Sequence, residues 1–187
     1  HLTAMKKTFR QKIARYLFLK EYGQHESQKK LITFNDAKSI GILYDSTNEK
    51  DFELIRKYVK DIRENHHKEV LALGYYDQKE LPAMRFAKLG LDFFTRKDLN
   101  WYYKPIAPVV KNFVQKDFDI LIDLHTGNSI TFRYIVASSK ARFKIGKYDR
   151  FSTPFYDFMI SIQENTGQQQ FIDQINHYLK SFRNDHA

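Results

Sequence analysis

Short runs that are apolar almost throughout alternate along this chain with longer stretches whose apolar residues recur every three or four positions. The runs are IGILYD (40–45), EVLALGYY (69–76), LDFFT (91–95), FDILIDL (118–124), ARFKIG (141–146) and FYDFMISI (155–162). None keeps the strict alternation of a strand with one face in water, so the pattern predicts strands buried on both faces, as in a parallel sheet. Between the runs, Phe52, Ile55, Tyr58, Val59 and Ile62 share one face of a helix ending near Asn65. Ser46, Thr47 and Asn48 offer side-chain oxygens to cap its start. A short helix is expected within 105–116, opened by Pro105 or Pro108, because a first turn tolerates proline. Another begins in GNSITFRYIVASS (127–139). A last one spans Gln168 to Phe182 with Phe171, Ile172, Ile175, Tyr178, Leu179 and Phe182 inward.

Ahead of the first strand, Met5 to about Tyr22 reads as a helix with Phe9, Ile13, Tyr16 and Leu17 as its buried stripe, and Gln24 to Ser39 as a connector. The fold expected is α/β. It is a Rossmann-like three-layer sandwich with a mostly parallel sheet of five or six strands, preceded by a basic N-terminal helix. Residues 1–39 form the helix and connector, with His1–Ala4 ahead of Met5 read as a cloning remnant, and 40–187 form a single domain.

Composition narrows the class. With 42% hydrophobic and 16% aromatic residues the chain of 187 is too apolar to stay disordered. No stretch approaches the roughly 18 apolar residues of a membrane span, and the N-terminus lacks the apolar run of a signal peptide. Zero cysteines exclude disulfides and thiolate metal sites, and a cytoplasmic location is expected. The net charge of +9 is concentrated: nine Lys or Arg stand against three acids in residues 1–39. Such an imbalance points to a polyanionic partner.

In parallel α/β sheets, ligands gather beyond the carboxyl ends of the strands, where helix N-termini present unpaired N–H groups. A cleft is therefore expected among Ser46, Thr47 and Asn48 after the first strand, Thr126, Gly127 and Asn128 after the fourth, and Lys147 after the fifth. Gly127 lets backbone approach an anion, while Thr126 and Asn128 can donate or cap. His125 is the candidate proton shuttle, with Asp123 or Asp45 as its orienting partner. The competing reading of the turn, and the favoured one, is a plain strand-to-helix connection. Nucleotide P-loop, dinucleotide and serine-hydrolase motifs are missing, and His66-His67 lack the spacing for one ion. No cofactor and no metal are expected.

The segment FTRKDLNWYYKP (94–105) groups Arg96, Lys97 and Lys104 with Trp101, Tyr102 and Tyr103, a combination that suits single-stranded nucleic acid. The competing expectation, and the favoured one, is that this loop folds over the sheet and buries Trp101.

The run FDILIDLHTGNSITFRYIVASSKARFKIGKY, about 118–148, resembles a segment of lipopolysaccharide heptosyltransferases. Those enzymes show a strand ending in Asp-Leu, a helix of similar length, and a strand closing in Ile-Gly-Tyr/Phe-Asp. The resemblance implies a domain like the N-terminal, acceptor-side half of a two-domain glycosyltransferase. Two departures stand out. The segment YDSTNEKDFELI lacks the Gly-Asp whose carboxylate serves that family as base, and only 39 residues follow Tyr148, too few for a nucleotide-sugar half. The whole chain also resembles an uncharacterised family of short basic bacterial proteins sharing the Lys/Arg-rich helix, IGILYD and FDILIDL.

The function expected is a non-catalytic binding module. It would dock Lys6, Lys7, Arg10, Lys12 and Arg15, with Arg96, Lys97 and Lys104, on a polyanion, RNA or a ribonucleoprotein before DNA. A peripheral anionic membrane is a further candidate, with no transmembrane segment. The alternative is a small glycosyltransferase-like enzyme or remnant that takes a phosphorylated or sugar ligand at the carboxyl ends of the strands.

Overall fold

The computed structural model describes residues 2–24, 31–85 and 90–182, with side chains from Thr8 onward. Its elements are α1 (Leu2–Tyr22), β1 (Ser39–Asp45), α2 (Glu49–Glu64), β2 (Glu69–Tyr76), β3 (Leu91–Thr95), α3 (Pro108–Gln115), β4 (Ile120–Asp123), α4 (Ile130–Ser138), β5 (Phe143–Lys147), β6 (Phe158–Ile160) and α5 (Gln168–Ser181). The strands form one sheet in the order β3-β2-β1-β4-β5-β6, and every pair is parallel. This is the Rossmann-like three-layer arrangement, with the basic helix leading.

The apolar runs make the layers by simple alternation. Ile40, Ile42 and Tyr44 of β1 join Ile120 and Ile122 of β4 under α2 and α5, whose Phe52, Ile55, Phe171, Ile172 and Ile175 complete that half of the core. Leu43, Leu73 and Leu121 turn the other way, under α1, α3 and α4, against Phe18, Phe113 and Phe132. Asp119 pins the amino edge of the sheet. Its carboxylate accepts the Lys38 and Ser39 amides at 2.8 and 3.2 Å and an Arg142 N–H at 2.8 Å, so β1, β4 and the start of β5 are held in register.

Two helices differ from expectation. On α1 the buried residues are Ala14 and Phe18, not Phe9 and Tyr16, which stand 66% exposed; Ile13 and Leu17 are half-buried. The reason is aromatic packing. Phe18 wedges edge-on between Tyr134 of α4 and Phe155, with ring centroids 5.0 and 5.1 Å away, and that contact sets the helix rotation. On α5, Tyr178 is 39% exposed and lies against Phe158 at 5.1 Å instead of pointing inward. The last strand is shorter than the run 155–162, because Thr153–Phe155 makes a tight turn and pairing with β5 begins only where Asp157 donates to and accepts from the Lys144 backbone.

Phe18→Ala is expected to cost about 3 kcal/mol, as for a buried Phe elsewhere, whereas Phe9→Ala should stay within roughly 0.5 kcal/mol. Urea denaturation of the two variants distinguishes them; comparable losses would contradict the orientation of α1.

Candidate functional site

Sheet growth reverses between β1 and β4, neighbouring strands whose following helices, α2 and α4, lie on opposite faces. A cleft of about 600 Å³ opens beside this switch point, lined by Asp45 from the end of β1, Tyr75 and Asp77 from the end of β2, and His125 after β4. Asn128, Ser129, Thr131 and Phe132 close one side with the first turn of α4, and Arg10 and Gln11 of α1 with Tyr103 close another. The Ser129 side chain caps no amide, so the first-turn N–H groups of α4 stand at the cleft wall without a side-chain partner.

The carboxyl edge carries four aspartates, at or within two residues of the ends of β1, β2, β4 and β5, and each has a different task. Asp77 holds Arg96 through two bonds of 2.6 and 3.0 Å and accepts the Tyr75 hydroxyl at 2.9 Å. Asp149 binds Arg133 and the Ser152 hydroxyl. Burial raises its carboxyl, but Ser152 and Arg133 outweigh this and hold it below the usual range. Asp45 uses one oxygen to accept the Thr47 amide at 2.8 Å, and lies in the cleft. Asp123 is buried beneath it.

Asp123 accepts the Tyr156 hydroxyl at 2.5 Å and the His125 backbone amide at 2.9 Å. Burial pushes its carboxyl up to about 6, against the two hydrogen bonds that favour the charged form. The approach of Tyr156 needs Gly146, since a Cβ there would lie 2.6 Å from the ring. Asp123 therefore orients the turn through its backbone. Among the described residues neither Asp123 nor Asp45 hydrogen-bonds the imidazole. The His125 ring instead stacks on Phe132 at 3.9 Å and 15°, and its Nε2 is buried without a hydrogen-bond partner. Gly127 covers the ring, leaving no room for a Cβ, which would sit 2.9 Å from Nε2. Burial pushes the imidazole down to about 4; Asp45 opposes this, and Lys147 and Arg133 add to it. At neutral pH His125 is uncharged, with a nitrogen able to accept a proton.

The other expected cleft residues serve the fold. The Ser46 hydroxyl and amide both donate to the Tyr75 carbonyl, at 3.0 and 2.8 Å. Thr47 Oγ1 accepts the Asp77 amide at 2.9 Å, and Asn48 caps α2 by accepting from Lys50 and Asp51. Together they staple the β1–α2 turn to the end of β2. Lys147 donates to the Thr126 carbonyl at 2.5 Å, and Asn128 accepts from Arg133 at 2.8 Å, so both brace the His125 turn.

The expected polyanion set is scattered and mostly engaged. The side chains of Lys6 and Lys7 lie outside the described residues. Arg10 donates to the Trp101 carbonyl and stacks on Tyr103 at 4.1 Å, which makes it a wall of the cleft. Arg15 lies over Phe151 at 4.0 Å. Arg96 is paired with Asp77, Lys97 with Glu80 and Lys104 with Glu21. Lys12 is exposed. Trp101, expected to be buried, is 59% exposed, because the loop is held instead by Leu99 and Tyr102, with Arg10 bonded to its backbone. Lys144 of β5 is buried. Its ammonium donates to the Val136 carbonyl near the end of α4 at 2.8 Å, and burial pushes it down to about 8, partly offset by Asp157.

Sequence reasoning missed Tyr75, Asp77, Phe132 and Tyr156, and placed Tyr103 on a nucleic-acid surface rather than in the cleft. Asp77 was within reach, since it follows a parallel strand as Asp45 and Asp123 end theirs. The rest depend on tertiary contacts that leave no local pattern.

Fold and site together define an α/β domain with a 3-2-1-4-5-6 parallel sheet and a cleft at its switch point. The chain belongs to a family of unknown function, DUF6913, whose model matches residues 6–182. No curated protein and no solved structure matches the chain significantly.

Two buried groups give the site a pH signature. Asp123 titrates near 6 in the folded state against 3.8 ordinarily, so its protonated form adds stability that is lost as pH rises from about 4 through 6, at most about 3 kcal/mol. His125 does the opposite: its neutral form adds stability above about 6.5 that is lost as pH falls toward 4. Stability profiles of Asp123→Asn and His125→Gln are expected to diverge from wild type in opposite directions across that window; parallel profiles would contradict the burial assigned to both groups.

Proposed function

We propose that the switch-point cleft binds a small phosphorylated or sugar ligand, and that this binding is the domain's function. The observation that carries the reading is the convergence of Arg10, Asp45 and neutral His125 on a cavity of about 600 Å³ beside the carboxyl ends of β1 and β4. That volume lies within the range of small-molecule sites, roughly 300–1,000 Å³. Arg10 and the uncapped first turn of α4 suit an anionic oxygen. Asp45 can accept hydrogen bonds from hydroxyls, and Tyr75 and Tyr103 line the same cavity. In a transferase-like reaction His125 is the base. The local resemblance to heptosyltransferases supports the same ligand class.

Polyanion binding by the basic segment keeps less support, because Arg96, Lys97 and Lys104 already face the molecule's own acids and Arg10 and Arg15 lie on rings.

A thermal-shift panel of nucleoside diphosphates, nucleotide sugars, hexose phosphates and inorganic phosphate tests the cleft. A ligand at about 100 times its Kd stabilises by about 2.7 kcal/mol, a rise of roughly 5–10 °C for a chain of this size. Arg10→Ala and Asp45→Asn are expected to reduce that rise by more than half. No response from any probe would remove the reading.

A further inference from the structure

The rotation of α1 that buries Phe18 leaves a second apolar stripe on the opposite side of the helix. Phe9, Tyr16 and Leu19 are 66%, 66% and 48% exposed. At 100° per residue they fall within one outward sector together with Lys12 and Lys20, both exposed. The stripe does not end at the helix. On one flank Arg10 is bonded to the backbone of Trp101, whose ring is 59% exposed. On the other, Arg15 lies on Phe151, itself 49% exposed. Five exposed apolar side chains, four of them aromatic, thus lie on the outer sector of α1 or beside its flanks, with exposed lysines among them. A patch of this kind on a soluble face marks an interaction site.

We infer that this face of α1, with Trp101 and Phe151 at its flanks, docks on an anionic lipid surface. Charge complementarity selects the partner. Lys12 and Lys20 stand where lipid phosphates would lie, and among the described residues of α1 the one acid, Glu21, falls outside their sector and is turned to Lys104. Side-chain chemistry argues for lipid over nucleic acid. Trp, Tyr and Phe settle at the boundary between headgroup and acyl chain, and aliphatic Leu19 gains from that environment but has nothing to offer a stacked base. Shape agrees, because a convex helix lies on a bilayer interface, whereas a strand of nucleic acid is held in a groove. No helix among the described residues is long and apolar enough to cross a membrane. The inference does not rest on the cleft being occupied.

The experiment is co-sedimentation of the full chain with vesicles of phosphatidylcholine containing phosphatidylglycerol, and with phosphatidylcholine alone. Binding is expected on the anionic vesicles and should weaken with salt. Lys12→Glu combined with Lys20→Glu removes two basic charges and is expected to lower partitioning by at least about thirtyfold, at about 1 kcal/mol per basic charge lost. A triple Phe9→Ser, Tyr16→Ser, Leu19→Ser variant should lose at least about tenfold, from the burial its apolar groups forgo. All three positions are exposed, so its melting temperature is expected to match wild type and the loss reads on docking rather than folding. Failure of the wild-type chain to bind anionic vesicles at low salt would overturn the inference. So would unchanged partitioning of the triple variant, or tighter binding to a fluorescent single-stranded oligonucleotide than to vesicles.

Discussion

Everything at the candidate site follows from the reversal of sheet growth between β1 and β4. In a parallel sheet each strand must be followed by a crossover, and a right-handed crossover goes to one face or the other according to the direction of growth. Because β2 lies on one side of β1 and β4 on the other, α2 covers one face and α4 the opposite one. No helix can cover both strand ends at once. The carboxyl ends of β1 and β4 therefore meet at a crevice that the fold cannot fill, and whatever polar groups the sequence places there stay available. Asp45 and His125 are such groups; Ser46, one residue beyond Asp45, is already absorbed by β2.

The unusual step in this chain is how the crevice gains its outer wall. Helix α1 precedes the sheet and lies beside α4, bringing Arg10 across to the 99–105 loop. That loop in turn is tied to α4, since Thr131 donates to the Tyr103 carbonyl at 2.9 Å. Cations that look in the sequence like a single basic segment thus divide by role. Arg10 faces the cleft, Arg15 rests on Phe151, and Lys12 and Lys20 stay outside. Net charge describes the segment, but the rotation of the helix decides what each charge can do.

How much of this was legible depends on how many stripes a segment carries. On α2 the five residues expected inward are the five that are buried, because that helix has one apolar face, with Leu54 at its margin, and charged residues at its other positions. On α1 apolar residues occur on two faces, and periodicity cannot choose between Phe9 with Tyr16 and Ala14 with Phe18. The choice is made by Tyr134 and Phe155, more than a hundred residues away in sequence. The cleft divides in the same way. Asp45, His125 and Asn128 were legible because they follow strands, and strand ends are visible as the limits of apolar runs. Arg10 was not, as its place comes from a contact spanning 91 positions. Trp101 was misread because large aromatics are buried more often than not, whereas here the backbone of its loop, rather than its ring, makes the contact.

The same helix therefore sets both the inner wall of the cleft and the outer apolar face, and it is held less firmly than the rest. Of its described side chains only Ala14 and Phe18 are fully buried, whereas α2 buries five and α5 four. Its buried polar tie is one long bond, from the Tyr134 hydroxyl to the Ala14 carbonyl at 3.4 Å. The others lie nearer the surface: the Arg10 bond to Trp101, the Arg10 and Arg15 rings, and the half-exposed pair of Glu21 with Lys104. Exposed ion pairs contribute at most about 1 kcal/mol each. Local opening free energy scales with buried apolar contact, so α1 detaches from the domain at a lower cost than any sheet-covering helix. Phe9 and Lys12 look outward immediately beside Arg10 and Gln11, which look inward. Any surface that captures the outer face thus holds the mouth of the cleft at its own boundary, and the energy that fixes α1 in place is shared between the two sites.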